Sequence, residues 1–292
     1  MDLPAPIPAI LNRDSGSADA VRAVLEQRPG FDVRVRAPED VELAVRAAVL
    51  EGHRRIAIGG GDGTIASAAN VIVGTSVELA VLPGGTLNHF ARDHDLPTVT
   101  EEAAELALAG AARPVGVGRV NDRIFLSTSS VGAYVALVRL RSRMERVLGY
   151  TLASFLAASR VFVRMPTFGV EVATPSGARA YRTPLVFIGI GERDLRVPAL
   201  GARVREGRRG LHLMVVRDAS RSSVMALALS AATRGIEGTD DTHLDALVVD
   251  ACTITPDHPA RVSVDGEIAR LAPPLRYEFL PDSLRLVSPG RR

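Results

Sequence analysis

Two glycine-rich stretches and one late carboxylate pair carry residue types suited to phosphoryl chemistry. Gly59-Gly60-Gly61-Asp62-Gly63-Thr64 places four glycines and a threonine around one carboxylate. Backbone without Cβ atoms turns tightly and presents its N–H groups. With a helix starting near Thr64, those donors and the helix dipole favour a phosphate. A tight turn with no ligand is the plain alternative. Asp62 would repel a bare phosphate, so it points to a bridging Mg²⁺ or a hydroxyl to orient. Pro83-Gly84-Gly85-Thr86-Leu87-Asn88 is a second such stretch. Thr86 and Asn88 add a hydroxyl and an amide, suited to binding a nucleotide or capping the next helix. Val264-Asp265-Gly266-Glu267 sets two carboxylates two residues apart. On an extended segment they share one face and could divide base and metal roles. A solvated Asp-Gly turn with an incidental glutamate is the alternative.

Composition narrows the chemistry. All 35 basic side chains of the 292 residues are arginine. A phosphate loop ending in Gly-Lys-Ser/Thr, a protein kinase with a strand lysine and a Schiff-base enzyme are therefore excluded. Cationic work on phosphate falls to arginine, backbone N–H groups or a metal ion. With 47% hydrophobic and 23% charged residues the profile is soluble and globular. A net charge of +2, 4% aromatics and no Trp argue against a nucleic-acid partner. The lone Cys252 excludes an internal disulfide and a cysteine zinc site, and suits a reducing compartment such as the cytoplasm. Met1-Asp2-Leu3-Pro4 lacks the features of a signal peptide. No apolar run reaches the ~18 residues of a membrane span. His53, His94, His212, His243 and His258 have no ligand spacing and read as structural.

The elements that must position these loops follow from periodicity. Residues 7–11, 31–36, 56–58 and 79–82 read as strands. Residues 18–27, 41–50 and 65–73 read as helices between them. This repeated order implies a parallel sheet with helices on both faces, and it brings the loops after the strands to one edge. The two glycine loops are expected side by side there. After Gly118 the pattern changes. Residues 119–127 read as a strand with a turn at Asn121-Asp122. Residues 133–143, 146–163 and 224–233 read as helices. Strands are expected over 168–173, 183–190, 211–216, 247–254, 260–264, 276–279 and 284–287. Clustered strands imply a mostly antiparallel β domain, with a boundary near residue 118. The segment 133–163 carries Arg139, Arg141, Arg143, Arg146 and Arg160 among apolar residues. It suits an anionic membrane surface or a packed helical pair with a basic outer face.

Gly60 to Thr64, Gly85-Thr86-Leu87-Asn88-His89-Phe90-Ala91-Arg92 and Val264 to Glu267 resemble the diacylglycerol kinase catalytic-domain family, which includes bacterial diacylglycerol kinases and the sphingosine and ceramide kinases. Asn12 and Ser15-Gly16 match its first nucleotide-binding turn. The glycine loop alone is shared with NAD kinases and phosphofructokinases; the Gly-Thr-x-Asn and Asp-Gly-Glu elements are more specific. The resemblance implies an α/β nucleotide-binding domain over residues 1–118, with 281–292 a candidate for returning to it. A β-sandwich-like lipid domain covers 119–280, and the active site lies in the interdomain cleft. It implies ATP- and Mg²⁺-dependent transfer of the γ-phosphoryl group to a lipid hydroxyl. The lipid is met by transient peripheral contact with the membrane surface, and a homodimer is compatible. Asn12, Ser15, Gly60, Gly61, Gly63, Thr64, Gly85, Thr86 and Asn88 would hold the nucleotide. Asp62 would organise nucleotide and metal. Asp265 would be the general base, with Glu267 beside it in the metal and phosphate network. Two positions depart from the pattern: His89 stands where many relatives carry Asp, and Arg209-Gly210 where they carry Asp-Gly at a structural metal. These departures keep a nucleotide- or lipid-binding member with eroded catalysis open. A soluble-substrate kinase of the NAD kinase type is the other rival.

Overall fold

The computed structural model describes residues 5–85, 88–132, 135, 167–194, 203–204, 206–217, 244–259 and 261–290. The chain forms two compact units, Met1–Val117 with Leu280–Arg292, and Gly118–Phe279. The helices expected over 133–143, 146–163 and 224–233 lie outside the described residues, apart from residue 135.

In the first unit, β1 (Ile7–Asn12), β2 (Phe31–Arg36), β3 (Arg55–Gly60) and β4 (Glu78–Pro83) pair in the order β2-β1-β3-β4, all parallel. Helices α1 (Ala18–Glu26), α2 (Val41–Leu50) and α3 (Asp62–Ile72) make the crossovers. The final strand β16 (Leu275–Ser288) adds Arg285 and Leu286 parallel to β4. The alternation of strand and helix thus produces the parallel α/β sheet it implies. β1, β3 and β4 are buried on both faces, as short apolar runs between helices must be. One side packs Leu11, Leu25, Ala57, Leu82 and, from α5 (Thr100–Ala109), Ala104. The N-terminal end of β4 is fastened by Glu78. Its carboxylate accepts from Arg55 at 2.7 Å and Arg54 at 3.1 Å, while its side chain is only 3% exposed.

The helix after the first glycine loop begins earlier than its apolar period suggests. Asp62, Gly63 and Thr64 form its first turn, with Gly61 extended at the N-cap (φ −83°, ψ 179°). Apolar periodicity starts only at Ile65, which hides this turn.

The second unit is a two-layer antiparallel sandwich. One layer runs β12 (Leu244–Val249), β11 (Leu211–Val216), β10 (Leu185–Ile190), β7 (Thr128–Gly132), β14 (Arg261–Val264), β15 (Glu267–Arg270). The other joins the N-terminal part of β16 to β13 (Ala251–Pro256), β8 (Phe168–Thr174) and β9 (Gly177–Thr183). Val131, Ile188, Leu213 and Val262 of the first layer interdigitate with Val172, Ile254 and Tyr277 of the second. The expected strand over 247–254 is in fact two, broken at Asp250. Leu247 pairs with Leu213 in one layer, and Cys252 pairs with Tyr277 in the other. The runs at 276–279 and 284–287 are one strand, β16. β9, mostly exposed and interrupted by Arg179 and Arg182, has no apolar signature to read. β5 (Ala111–Val120) turns at Asn121-Asp122 into β6 (Arg123–Phe125), as the sequence suggests.

Candidate active site

Gly59 and Gly60 pair with Leu82 and Pro83 at the C-terminal ends of β3 and β4. Parallel register therefore sets the two glycine loops side by side. The Gly84 amide donates to the Gly60 carbonyl at 2.8 Å. The contact is close because neither loop carries side chains there. A Cβ on Gly85 would lie 2.6 Å from Gly61 Cα, and one on Gly60 would strike Thr64 at 2.6 Å. The turn after β1 closes the third side. Ser15 Oγ donates to the Gly84 carbonyl at 2.6 Å, and Ser17 Oγ to the same oxygen at 3.1 Å. Asn12 Nδ2 donates to Thr64 Oγ1 at 2.9 Å, while Asn12 Oδ1 accepts the Asp14 amide at 3.0 Å. Ser15, Ser17, Gly84, Gly85, Asn88 and Thr100 line a cavity of about 540 Å³.

This geometry brings Asn12, Ser15, Gly60, Gly61, Gly63, Thr64, Gly85 and Asn88 into one neighbourhood. Thr86 lies outside the described residues. Ser17, Thr98 and Thr100 also line the surroundings of the loops and were not singled out by sequence. Ser17 shares its carbonyl with Ser15 two residues earlier, a repeated hydroxyl that could have flagged it. The first-turn N–H groups of α3 have no carbonyl within the helix to bond, and Gly61 supplies no capping side chain. An anion is a suitable partner for such donors.

Two side chains have unexpected employment. Asn88 sits at the N-cap of α4 (His89–Asp93) in left-handed backbone, φ 48°. Its side chain does not cap that helix; Asn88 Oδ1 accepts the Gly85 amide at 2.9 Å. Asp62 takes the capping part instead. Its Oδ2 accepts the His89 amide and its Oδ1 the Phe90 amide, both at 3.0 Å. Asp62 thus ties the first glycine loop to the helix that follows the second.

In the second unit, Asp265 and Gly266 make the turn between β14 and β15, both with positive φ (47° and 85°). This is the type I′ pattern that Asp-Gly favours. Asp265 therefore lies in a turn, and the expectation that it shares a strand face with Glu267 fails. Glu267 begins β15 and is exposed. The Asp265 carboxylate is half-buried and engaged by main-chain donors. Oδ2 accepts the Leu126 amide at 2.7 Å, and Oδ1 accepts Ser127 at 2.8 Å and Thr128 at 3.0 Å. The Asp265 amide returns a bond to the Thr128 carbonyl at 2.8 Å. Among the described residues, no group of three or more His, Cys, Asp and Glu side chains could hold a metal ion.

Comparison with known proteins adds three findings. Residues 7–120 match the family model described as the diacylglycerol kinase catalytic domain. A Pseudomonas putida protein named "Probable lipid kinase YegS-like" is 33% identical over 167 residues, 55% of each chain. A Pseudomonas fluorescens protein of the same name is 32% identical over 191 residues, 62% of each. The chain thus covers between half and two thirds of the length of these relatives. A crystal structure of a Bacillus anthracis diacylglycerol kinase has the same fold, with a TM-score of 0.72 and 17% identity over 98% of this chain and 97% of that one.

Proposed function

We propose that the chain, whose residues 7–120 match the diacylglycerol kinase catalytic-domain model, is a lipid kinase that uses ATP and Mg²⁺ to phosphorylate a lipid hydroxyl. The observation that carries this reading is the backbone-to-backbone seating of the Gly60–Gly63 and Gly84–Gly85 loops beside the α3 N-terminus. Main-chain donors at this edge can receive phosphates without a lysine, which the chain lacks. Asn12, Ser15, Thr64 and Asn88 tie the loops together, and these four with Thr86 are the proposed nucleotide ligands.

When bound with ATP, Mg²⁺ would supply charge neutralisation for phosphoryl transfer. A magnesium ion carried mainly by the nucleotide would need only one or two protein carboxylates. Asp62 and Glu267 are the proposed contributors; Asp62 already serves two amides.

Asp265 takes the acceptor proton in this reading. The lipid oxygen forms a bond to the γ-phosphorus, the bond to the β,γ-bridging oxygen breaks, and the hydroxyl proton passes to the Asp265 carboxylate. A loose phosphoryl-transfer transition state demands placement of that carboxylate more than basicity, and three main-chain donors hold it in place. The acceptor is diacylglycerol-like or sphingoid-like and is met at a membrane surface. Among the described residues no helix is long and apolar enough to cross a membrane.

The test is transfer of label from γ-labelled ATP with Mg²⁺ to dioleoylglycerol, sphingosine and ceramide in detergent micelles. Transfer that falls at least a hundredfold in Asp265→Asn is expected, the scale of a lost general base. No transfer to any lipid, together with turnover of NAD or a sugar, would place the chain among soluble-substrate kinases. Nucleotide binding without any turnover would make it a binding protein, the reading that His89 in place of an acidic residue favours.

A further inference from the structure

Arg193 is 4% exposed and belongs to none of the nucleotide loops. It follows β10 and is fixed at three points. Its amide donates to His212 Nδ1 at 2.9 Å, and its side chain lies on Gly189, where a Cβ would come 2.7 Å from Arg193 Cγ. Its Nη2 donates to the Ser127 carbonyl at 2.8 Å. That carbonyl and the Thr128 amide are two ends of one peptide group. The Thr128 amide donates to Asp265 Oδ1 at 3.0 Å. A buried cation therefore pulls on one end of a peptide whose other end holds a carboxylate. Hydrogen bonds in such a chain polarise and strengthen one another. The Ile190 amide donates to the same carbonyl at 3.0 Å, so the peptide plane is held from β10 as well.

We propose that Arg193 is a positioning residue, which sets the Asp265 carboxylate for phosphoryl transfer through the Ser127–Thr128 peptide. The inference rests on the reading of Asp265 as the base. A buried guanidinium needs partners that return its desolvation cost, and the Ser127 carbonyl is one of them. The coupling also predicts which kinetic constant responds. Arg193 belongs to the second unit and is not among the residues proposed to hold the nucleotide, so its effect is expected on the chemical step and not on ATP binding.

The experiment compares the parent with Arg193→Met, Arg193→Lys and Gly189→Ala in the full chain, each checked for folding by circular dichroism. Two readouts are taken. One is the amide proton shift of Thr128 by NMR. The other is kcat and KM for MgATP with dioleoylglycerol or sphingosine in micelles. In Arg193→Met the Thr128 amide moves upfield, kcat falls about ten- to hundredfold, the range for a slightly misplaced reacting group, and KM for ATP stays within about twofold. Arg193→Lys restores most of both. Gly189→Ala keeps the charge but displaces the side chain, so it repeats the loss and carries the test if Arg193→Met does not fold. An unmoved Thr128 amide in the folded variants, an unchanged kcat, or a rise in KM for ATP alone overturns the proposal. If Asp265→Asn keeps full kcat, the base reading falls separately. The Thr128 amide then decides by itself whether Arg193 acts on this carboxylate.

Discussion

Gly85 and Gly61 meet backbone to backbone, so that a methyl group on Gly85 would sit 2.6 Å from Gly61 Cα, whereas one on Gly61 would sit 3.4 Å from Gly85 Cα. The contact is asymmetric, and the two alanine variants should differ accordingly. Gly85→Ala meets main chain that cannot swing aside and should lose about 1–3 kcal/mol of stability, the cost of overpacking. It should also raise KM for ATP at least about tenfold, since the loop must open to admit the methyl. Gly61→Ala should be mild in both respects. Denaturant melts and ATP titration of the pair check the order; equal effects would mean that the loops are not held by this contact.

Asp62 caps α4 across a separation of 27 residues. Removing a capping carboxylate costs about 0.5–2 kcal/mol. Asp62→Ala should therefore lower stability by that amount without nucleotide and without metal. Asp62→Asn keeps one acceptor oxygen and should lose less. Urea melts in EDTA make the comparison. A carboxylate used for Mg²⁺ alone would show no loss under those conditions.

The two examples show which parts were legible in the sequence. The parallel sheet was, because β1, β3 and β4 are short apolar runs each followed by a helix. The adjacency of the glycine loops followed from the parallel register alone. The employment of Asp62 and Asp265 was not legible, because both carboxylates bind main-chain amides. Backbone partners leave no residue type to recognise, and Asp265 finds its own 137 to 139 residues away. The break at Asp250 was hidden for a different reason. One polar residue inside an apolar run looks like a strand position facing solvent, yet here it sends β12 and β13 into different layers.

Glu78 links stability to acid. Burial pushes its carboxyl up, but hydrogen bonds from Arg55 and Arg54 outweigh this and hold it below its ordinary value of 4.5. A folded-state value below the unfolded one stabilises the protein above the unfolded value and is lost as pH falls through the folded one. Melting temperature should therefore drop with decreasing pH below about 4.5. Glu78→Gln should be less stable near neutral pH by up to about 3 kcal/mol, as expected for breaking a buried pair. Its acid slope should be shallower than the parent's. Parallel slopes in thermal scans between pH 3 and 7 would remove Glu78 from the acid transition.

Cys252 pairs with Tyr277 inside the sandwich and is 4% exposed. Burial pushes its thiol up to about 12. At pH 8 the thiolate is then roughly one part in ten thousand, and the thiolate is the reactive form. A disulfide reagent should leave the folded chain unlabelled and titrate one thiol per chain in denaturant. Rapid labelling of the native protein would show that this strand opens.

Asp265 has two separable contributions, and three substitutions divide them. Its carboxylate satisfies the Leu126, Ser127 and Thr128 amides, and its backbone occupies a left-handed turn at φ 47°. Alanine loses the acceptors and resists that φ, so Asp265→Ala should cost about 2–4 kcal/mol, combining unsatisfied amides with turn strain. Glycine accepts the turn but has no acceptor, so Asp265→Gly should recover about 1 kcal/mol of this. Asparagine tolerates left-handed backbone and retains one acceptor oxygen, so Asp265→Asn should stay within about 1 kcal/mol of the parent. Only in Asp265→Asn does a loss of phosphoryl transfer report chemistry rather than a displaced turn. If transfer in the three variants instead tracks their stability, with asparagine nearly as active as the parent, Asp265 is an anchor for residues 126–128 and the base must be sought elsewhere.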